Sequence, residues 1–332
     1  MRILFIGCPA IAVPSLRAIS DMEMDGAGIV LAGVLTNPDS RRGRHGKLEP
    51  TDISAAASEL DAMRKAKGLP SIVLLKPERL DSRAREEVVA LAPDLLVSFA
   101  YGRIFGPRFL SLFPLGGINI HPSLLPKYRG ATPIPAVILA QEKETGICIQ
   151  LLAGELDCGD ILMEERFQLS GHETTLSLSE TVSMKAAALL KQLLLDFDVK
   201  STGARPQQGE ATSCHELKKE TGIINWNKSA VQIDAQIRAY TPWPLSFTFR
   251  GEERLFILEA EPLESLAAPV SIGAPELPGT VLGTDRNGIL IQTGEGILIV
   301  KRLQWQAKKA LEWKAFCNGE RSFIGTMLES SV

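Results

Sequence analysis

From Asp94 to His121 the chain reads DLLVSFAYGRIFGPRFLSLFPLGGINIH. Two runs in it, DLLVSF at 94–99 and GINIH at 117–121, are too short and too evenly apolar for amphipathic helices, and they read as buried strands. The same unit recurs outward from them, as RILFIG at 2–7, IVLAGVLT at 29–36 and SIVLL at 71–75. Between these runs, 51–67 and 82–92 carry apolar or alanine positions at helical intervals. Strand–helix alternation predicts a mostly parallel sheet with helices on both faces, an α/β, Rossmann-like first domain. A further strand is expected at 146–152. A helix opened by the capping box Ser177-x-x-Glu180 is expected to run to about Phe197.

The pattern changes near residue 200. Residues 200–213, KSTGARPQQGEATS, lack large apolar side chains and read as a linker between a domain at 1–199 and another at 214–332. In the second domain, 246–250, 254–259, 279–284, 288–292 and 296–302 are short β-type runs separated by turn formers. They predict a small, OB-like β-barrel.

Bulk composition sets outer bounds. The 332 residues are 45% hydrophobic and 23% charged, with a formal net charge of −3, so a polyanionic partner has to be met by a local patch. The five cysteines, at 8, 148, 158, 214 and 317, have no C-x-x-C pair and read as reduced structural thiols. The run after Arg2 is too short for a signal peptide and no stretch is long enough to span a membrane, so a cytoplasmic location is expected.

The turn after the first strand is Gly7-Cys8-Pro9-Ala10, which lacks the glycines that let a backbone approach a dinucleotide pyrophosphate. The richest stretch is GGINIHPSLLPKYRGATPIP at 116–135. Ligands of open parallel sheets bind at the carboxyl ends of strands, and Asn119 and His121, two apart, share a face there. Asn119 offers an amide to an oxyanion, and His121 titrates near neutrality. Each alone also fits a turn amide or a satisfied strand-end histidine. A second acidic turn, Gly154 to Asp160, follows the strand at 146–152. An acid brought to Asn119 and His121 would complete an acyl-transfer site.

Asn119-x-His121-Pro122-Ser123-Leu124-Leu125-Pro126, then Arg129-Gly130, then Leu156-Asp157-x-Gly159-Asp160, resemble the signature of the folate-dependent formyltransferases. The resemblance implies catalytic roles for Asn119, His121 and Asp157. It implies a folate site made by Phe99, Ala100, Tyr101 and Gly102 against the pterin ring, with Ser123, Leu124, Leu125, Pro126 and Asp160 beside it. 10-Formyltetrahydrofolate would be the co-substrate, with no metal. Within the family, three features resemble members that formylate methionyl initiator tRNA. One is Asn37-Pro38-Asp39 followed by Arg41, Arg42, Arg44, His45 and Lys47; another is Ile224-x-Trp226 with Ile237 to Pro244; the third is Lys308-Lys309-Ala310. Pro122, Pro135, Glu155 and Cys158 depart from the pattern of those members.

The tRNA would then meet Arg41, Arg42, Arg44 and Lys47, and in the second domain Arg238, Lys308 and Lys309, with Lys301 and Arg302 nearby. From 212 to 332 the chain carries 13 Lys plus Arg against 14 Asp plus Glu, so that contact would be a patch. A monomer is expected. The alternative is a formyltransferase acting on a small amine, an amino sugar or a ribonucleotide amine.

Overall fold

The computed structural model describes residues 1–42, 46–197, 203–263 and 277–331. The apolar runs of the first half become one seven-stranded sheet. Its strands are β1 (Arg2–Gly7), β2 (Val30–Leu35), β3 (Leu74–Leu75), β4 (Leu95–Phe99), β5 (Gly117–His121), β6 (Glu144–Leu151) and β7 (Ile161–Gln168). Their order across the sheet is β7-β6-β5-β4-β1-β2-β3. Neighbours from β3 through β5 are parallel, whereas β6 joins β5, and β7 joins β6, antiparallel. Ile3, Leu4, Phe5 and Ile6 are all fully buried, as befits a parallel strand covered on both faces.

Local chemistry sets the ends of the helices. The helix Asp52–Ala66 is capped by Thr51, whose hydroxyl accepts from the Ser54 N–H, and Ser82–Ala90 by Asp81, whose carboxylate accepts from Ala84. The later helix spans Thr175–Leu195. Its cap is Thr174 and not Ser177: the Ser177 N–H donates to the Thr174 hydroxyl while the Thr174 N–H donates to the Ser177 hydroxyl. Serine at the third helical position thus plays the reciprocal part usually given to glutamate, which shifts the start upstream of the predicted box. The strand expected at 71–75 is only two residues long. The Ile72 N–H is taken by the Asp61 carboxylate at 2.7 Å instead of by a strand partner.

Met1–Pro133, Glu144–Gln168 and Ser179–His215 make one compact unit. Residues 203–215, linker-like in composition, therefore belong to the first unit and are fastened to it. Ser213 and Cys214 pair in parallel with Arg129 and Gly130, and Ile161 forms a bridge with Arg205. Backbone hydrogen bonds, which need no apolar side chain, hold this stretch in place.

The second unit comprises Ile134–Lys143, Leu169–Leu178 and Glu216–Val332. It contains a six-stranded antiparallel sheet. Strands β8 (Ser246–Arg250), β9 (Glu253–Pro262), β10 (Val281–Thr284), β11 (Ile289–Gln292) and β12 (Ile297–Trp305) follow the order β8-β9-β12-β11-β10, and Leu311–Glu312 pairs with β12. The chain end bridges the two edge regions, Glu329 to Phe249 on β8 and Met327 to Thr280 beside β10. This closes the sheet in the barrel-like manner expected and covers edges that would otherwise be unpaired. The helix Ala230–Ala239 sends Ile233 and Ile237 into the core with Leu255, Ile257, Leu298, Val300 and Trp305.

Candidate active site

The register of the sheet builds the first half of the site. Ser98 on β4 lies beside Asn119 on β5, and across the antiparallel junction Asn119 lies opposite Gln150 and His121 opposite Cys148. Cross-strand partners and residues two apart share a face, so Asn119, His121 and Gln150 project from the same side of the sheet. Asp157 arrives from the loop after β6. A side chain at Gly159 would place its Cβ 1.8 Å from the Leu151 carbonyl oxygen, so glycine alone lets this loop fold back on the strand. The Leu151 N–H donates to the Asp160 carbonyl at 2.9 Å and secures the return.

The Asp157 carboxylate is the hub. Its Oδ1 accepts from Gln150 Nε2 at 2.8 Å and, more weakly, from Asn119 Nδ2 at 3.4 Å. Its Oδ2 accepts from the Gly130 N–H at 2.9 Å and lies 3.5 Å from His121 Nδ1. The residue itself sits at φ +53°, a left-handed conformation that a non-glycine residue holds only where its surroundings enforce it.

His121 is 3% exposed, and its Nε2 lies 2.8 Å from the Tyr128 carbonyl oxygen. A carbonyl can only accept, so Nε2 carries a proton and Nδ1 is the nitrogen turned to Asp157. Burial lowers the His121 pKa below the ordinary imidazole value, while the Asp157 charge and the Tyr128 hydrogen bond pull it upward. At 3.5 Å the carboxylate acts through its charge and not through a short hydrogen bond, so burial prevails and the resting imidazole is neutral. Asn119 is the half-exposed member of the trio, which leaves its amide within reach of a ligand.

The residues expected around a folate fall into two groups. Phe99 is buried at the end of β4, and the turn after it passes through Ala100 at φ +52° and Gly102 at φ +78°. Tyr101 is buried between them, its ring stacked on Phe105 at 5.6 Å. On the other side, the Ser123 hydroxyl donates to the Lys127 carbonyl at 2.7 Å, and Leu125 packs with Cys148 and Ile161. Leu124 is half-buried, Pro126 is buried, and Asp160 is half-buried in the return of its loop.

The expected basic residues differ in how free they are. Arg41 and Lys47 are exposed on a short ribbon in which Ser40–Arg42 pairs antiparallel with Lys47–Glu49. Arg42 belongs to that ribbon, and Arg44 lies outside the described residues. Lys308 and Lys309 are exposed in the turn between β12 and Leu311–Glu312. Arg238 is engaged within the fold: it forms an ion pair with Asp234 at 2.8 Å and donates to the Glu173 carbonyl at 3.0 Å, leaving 16% of its side chain exposed. Lys301 pairs with Glu261, and Arg302 stands 3.9 Å from Glu312.

Sequence reading passes over Gln150 and Gln207, and it quotes Arg129-Gly130 in the motif without giving the Arg129 side chain or the Gly130 N–H a role. Gln150 leaves a trace, as the polar exception in the buried run ICIQL. Gln207 leaves none. The backbone donor at Gly130 matters only through where the chain passes.

The first 194 residues match the formyl transferase family model, and residues 216–321 match the model of the formyl transferase C-terminal domain. The chain belongs to the formyltransferase family. It is 49% identical over 327 residues, 98% of each chain, to the methionyl-tRNA formyltransferase of Treponema denticola. It is 45% identical over 321 residues, 96% of each chain, to that of Treponema pallidum. Relatives of that identity and coverage place it in the methionyl-tRNA formyltransferase branch of the family. Among solved structures, the sugar 3N-formyl transferase WlaRD superposes with a TM-score of 0.63 over 93% of this chain and 99% of that one. At 18% identity this likeness speaks for the fold. No helix among the described residues is long and apolar enough to cross a membrane.

Proposed function

We propose that this chain transfers the formyl group of 10-formyltetrahydrofolate to the α-amine of methionyl initiator tRNA, with Asn119, His121 and Asp157 at the reacting atoms. The observation that carries this reading is the convergence of a strand-end amide, a buried neutral imidazole and a carboxylate in one cluster, the amide hydrogen-bonded to the carboxylate and the imidazole 3.5 Å from it. The neutral amine attacks the formyl carbon, forming the new C–N bond and a tetrahedral oxyanion. The proton released by the amine converts the neutral His121 imidazole to imidazolium, the Asn119 amide donates to the oxyanion, and Asp157 stabilises the imidazolium until it passes its proton on. The bond to the folate nitrogen then breaks, and the proton lost by the amine ends on that nitrogen. The Asn37 Oδ1 and Tyr101 hydroxyl, buried without a hydrogen-bond partner just beyond β2 and β4, fit a polar ring system docking at these strand ends.

For the tRNA, Arg41 and Lys47 on the ribbon and Lys308 and Lys309 on the turn of the second unit are exposed cations suited to phosphate contacts. Arg238 acts within its own unit. The test is to supply 10-formyltetrahydrofolate with either charged initiator tRNA or small amines and to identify the formylated product. Formylmethionyl-tRNA is expected; turnover of amino sugars with the tRNA left untouched refutes the reading. In Arg41→Ala/Lys47→Ala, efficiency on tRNA falls and its salt dependence flattens by about one for each phosphate no longer neutralised. Tetrahydrofolate affinity stays within about twofold, because phosphate contacts serve only the nucleic acid.

A further inference from the structure

Residues 205–210, RPQQGE, are exposed except for one side chain, Gln207, which turns inward. Its Nε2 lies 2.8 Å from the Asp157 carbonyl oxygen, 2.8 Å from that of Gly159 and 3.3 Å from Gln150 Oε1. An amide nitrogen has two hydrogens, and the two short contacts account for both. Its Oε1 in turn accepts from Arg129 Nε at 3.1 Å and Nη2 at 2.6 Å. One side chain therefore ties two pieces together, the loop that carries Asp157 and the loop after His121, and it lies against Gln150, the strand residue that holds Asp157 Oδ1.

The Asp157 backbone needs such a tie. Its φ of +53° is a strained conformation for a non-glycine residue and persists only when the surroundings over-determine it. The turn is exposed on the other side, from Ala153 to Leu156. Gly159 anchors one end through its close approach to Leu151, and Gln207 holds the carbonyls on either side of Cys158. A swing of this peptide would carry the carboxylate away from His121.

We infer that Gln207 is a positioning residue of the formyl-transfer site, which acts by clamping the Asp157 turn so that its carboxylate stays between Asn119 and His121. The inference rests on Asp157 acting beside His121 as proposed above. A side chain that merely satisfies two carbonyls would affect stability alone, so the decisive measurement is a double-mutant cycle in the full-length protein. Gln207→Ala is expected to lower kcat about tenfold, since displacements of about an ångström are worth one to two orders of magnitude. The KM for the formyl donor should stay within about twofold, because the folate-side residues are untouched.

In an Asp157→Asn background, the same Gln207→Ala change should cost less than about twofold, because residues that act as a unit are non-additive. Gln207→Glu, which keeps the acceptor toward Arg129 and loses both donors, should match Gln207→Ala in kcat with a thermal midpoint closer to the parent's. Full kcat in either variant, or an equal loss in both backgrounds, overturns the positioning role. If Asp157→Asn itself keeps full turnover, the site reading falls and the positioning role falls with it.

Discussion

Residues 116–135 and residues 203–215 reach the same candidate-site cluster by opposite means. The first stretch brings functional groups, Asn119 and His121, on a strand end whose register sets their direction. The second brings almost no reactive side chain. It works through backbone pairing at Ser213 and Cys214, the Thr212 hydroxyl accepting from Tyr128, and the Gln207 amide. Each shapes the other: Gly130, at φ +111°, points its N–H at Asp157, and a Cβ there would lie 2.2 Å from the Cys214 carbonyl oxygen. Chemistry demands particular residue types, whereas clamping demands only a polar backbone and one amide in the right place.

The largest expected effect breaks the comparison at its reactive side. Asn119→Ala and His121→Ala should each lower turnover by at least about 10²-fold, the scale for losing an oxyanion donor, with tetrahydrofolate binding retained. Near-normal turnover of His121→Ala would make the first stretch a scaffold like the second. A smaller effect is expected at the seam. Gly130→Ala should reduce turnover about tenfold and stability by about 1–3 kcal/mol, read from single-turnover rates and thermal unfolding. Gly171→Ala is the control, because Gly171 shares a positive φ of +87° but has nothing within 4 Å of its Cβ position. If both substitutions reduce turnover alike, contact with the 203–215 stretch is irrelevant to the site.

The smallest effect concerns the proton on His121. Burial holds its pKa below the ordinary value of 6.5, so the unfolded chain takes up this proton before the folded one does. Stability from this group is therefore complete above about pH 6.5 and declines as pH falls below it, by at most about 1.4 kcal/mol per pH unit. Urea unfolding at about pH 8 and pH 5.5 should show this acid-side loss in the parent and a shallower one in His121→Asn. Equal slopes in the two proteins would mean that the imidazole does not titrate differently on unfolding, contrary to its burial beside Asp157 and Tyr128.

Much of the fold is legible because burial writes itself into local pattern. RILFIG and DLLVSF are apolar without alternation since both of their faces are covered, and they form β1 and β4. The antiparallel strands of the second unit stand out by their length and turn residues, and all five expected runs form β8 to β12. The helix at Thr175 starts upstream of the expected box because Ser177 fits either of two reciprocal capping positions, and only the backbone path distinguishes them. In the sequence Arg238 looks like a free cation. On its helix Asp234 lies four residues away, close enough to claim it.

By itself, the sequence determined the sheet type and the change of pattern near residue 200, and it singled out Asn119, His121 and Asp157 as candidates, since these readings follow from local periodicity or from a motif within a few residues. Only the tertiary structure decided what surrounds them: that Gly130 supplies a backbone donor to Asp157, that the Tyr128 carbonyl selects which imidazole nitrogen faces the carboxylate, and that Gln207 closes the cluster. The physical reason is range. Gln207 stands 50 residues from Asp157 along the chain, and its amide, common in any exposed loop, acquires a role solely because backbone pairing of 205 and 213–214 carries it to the turn.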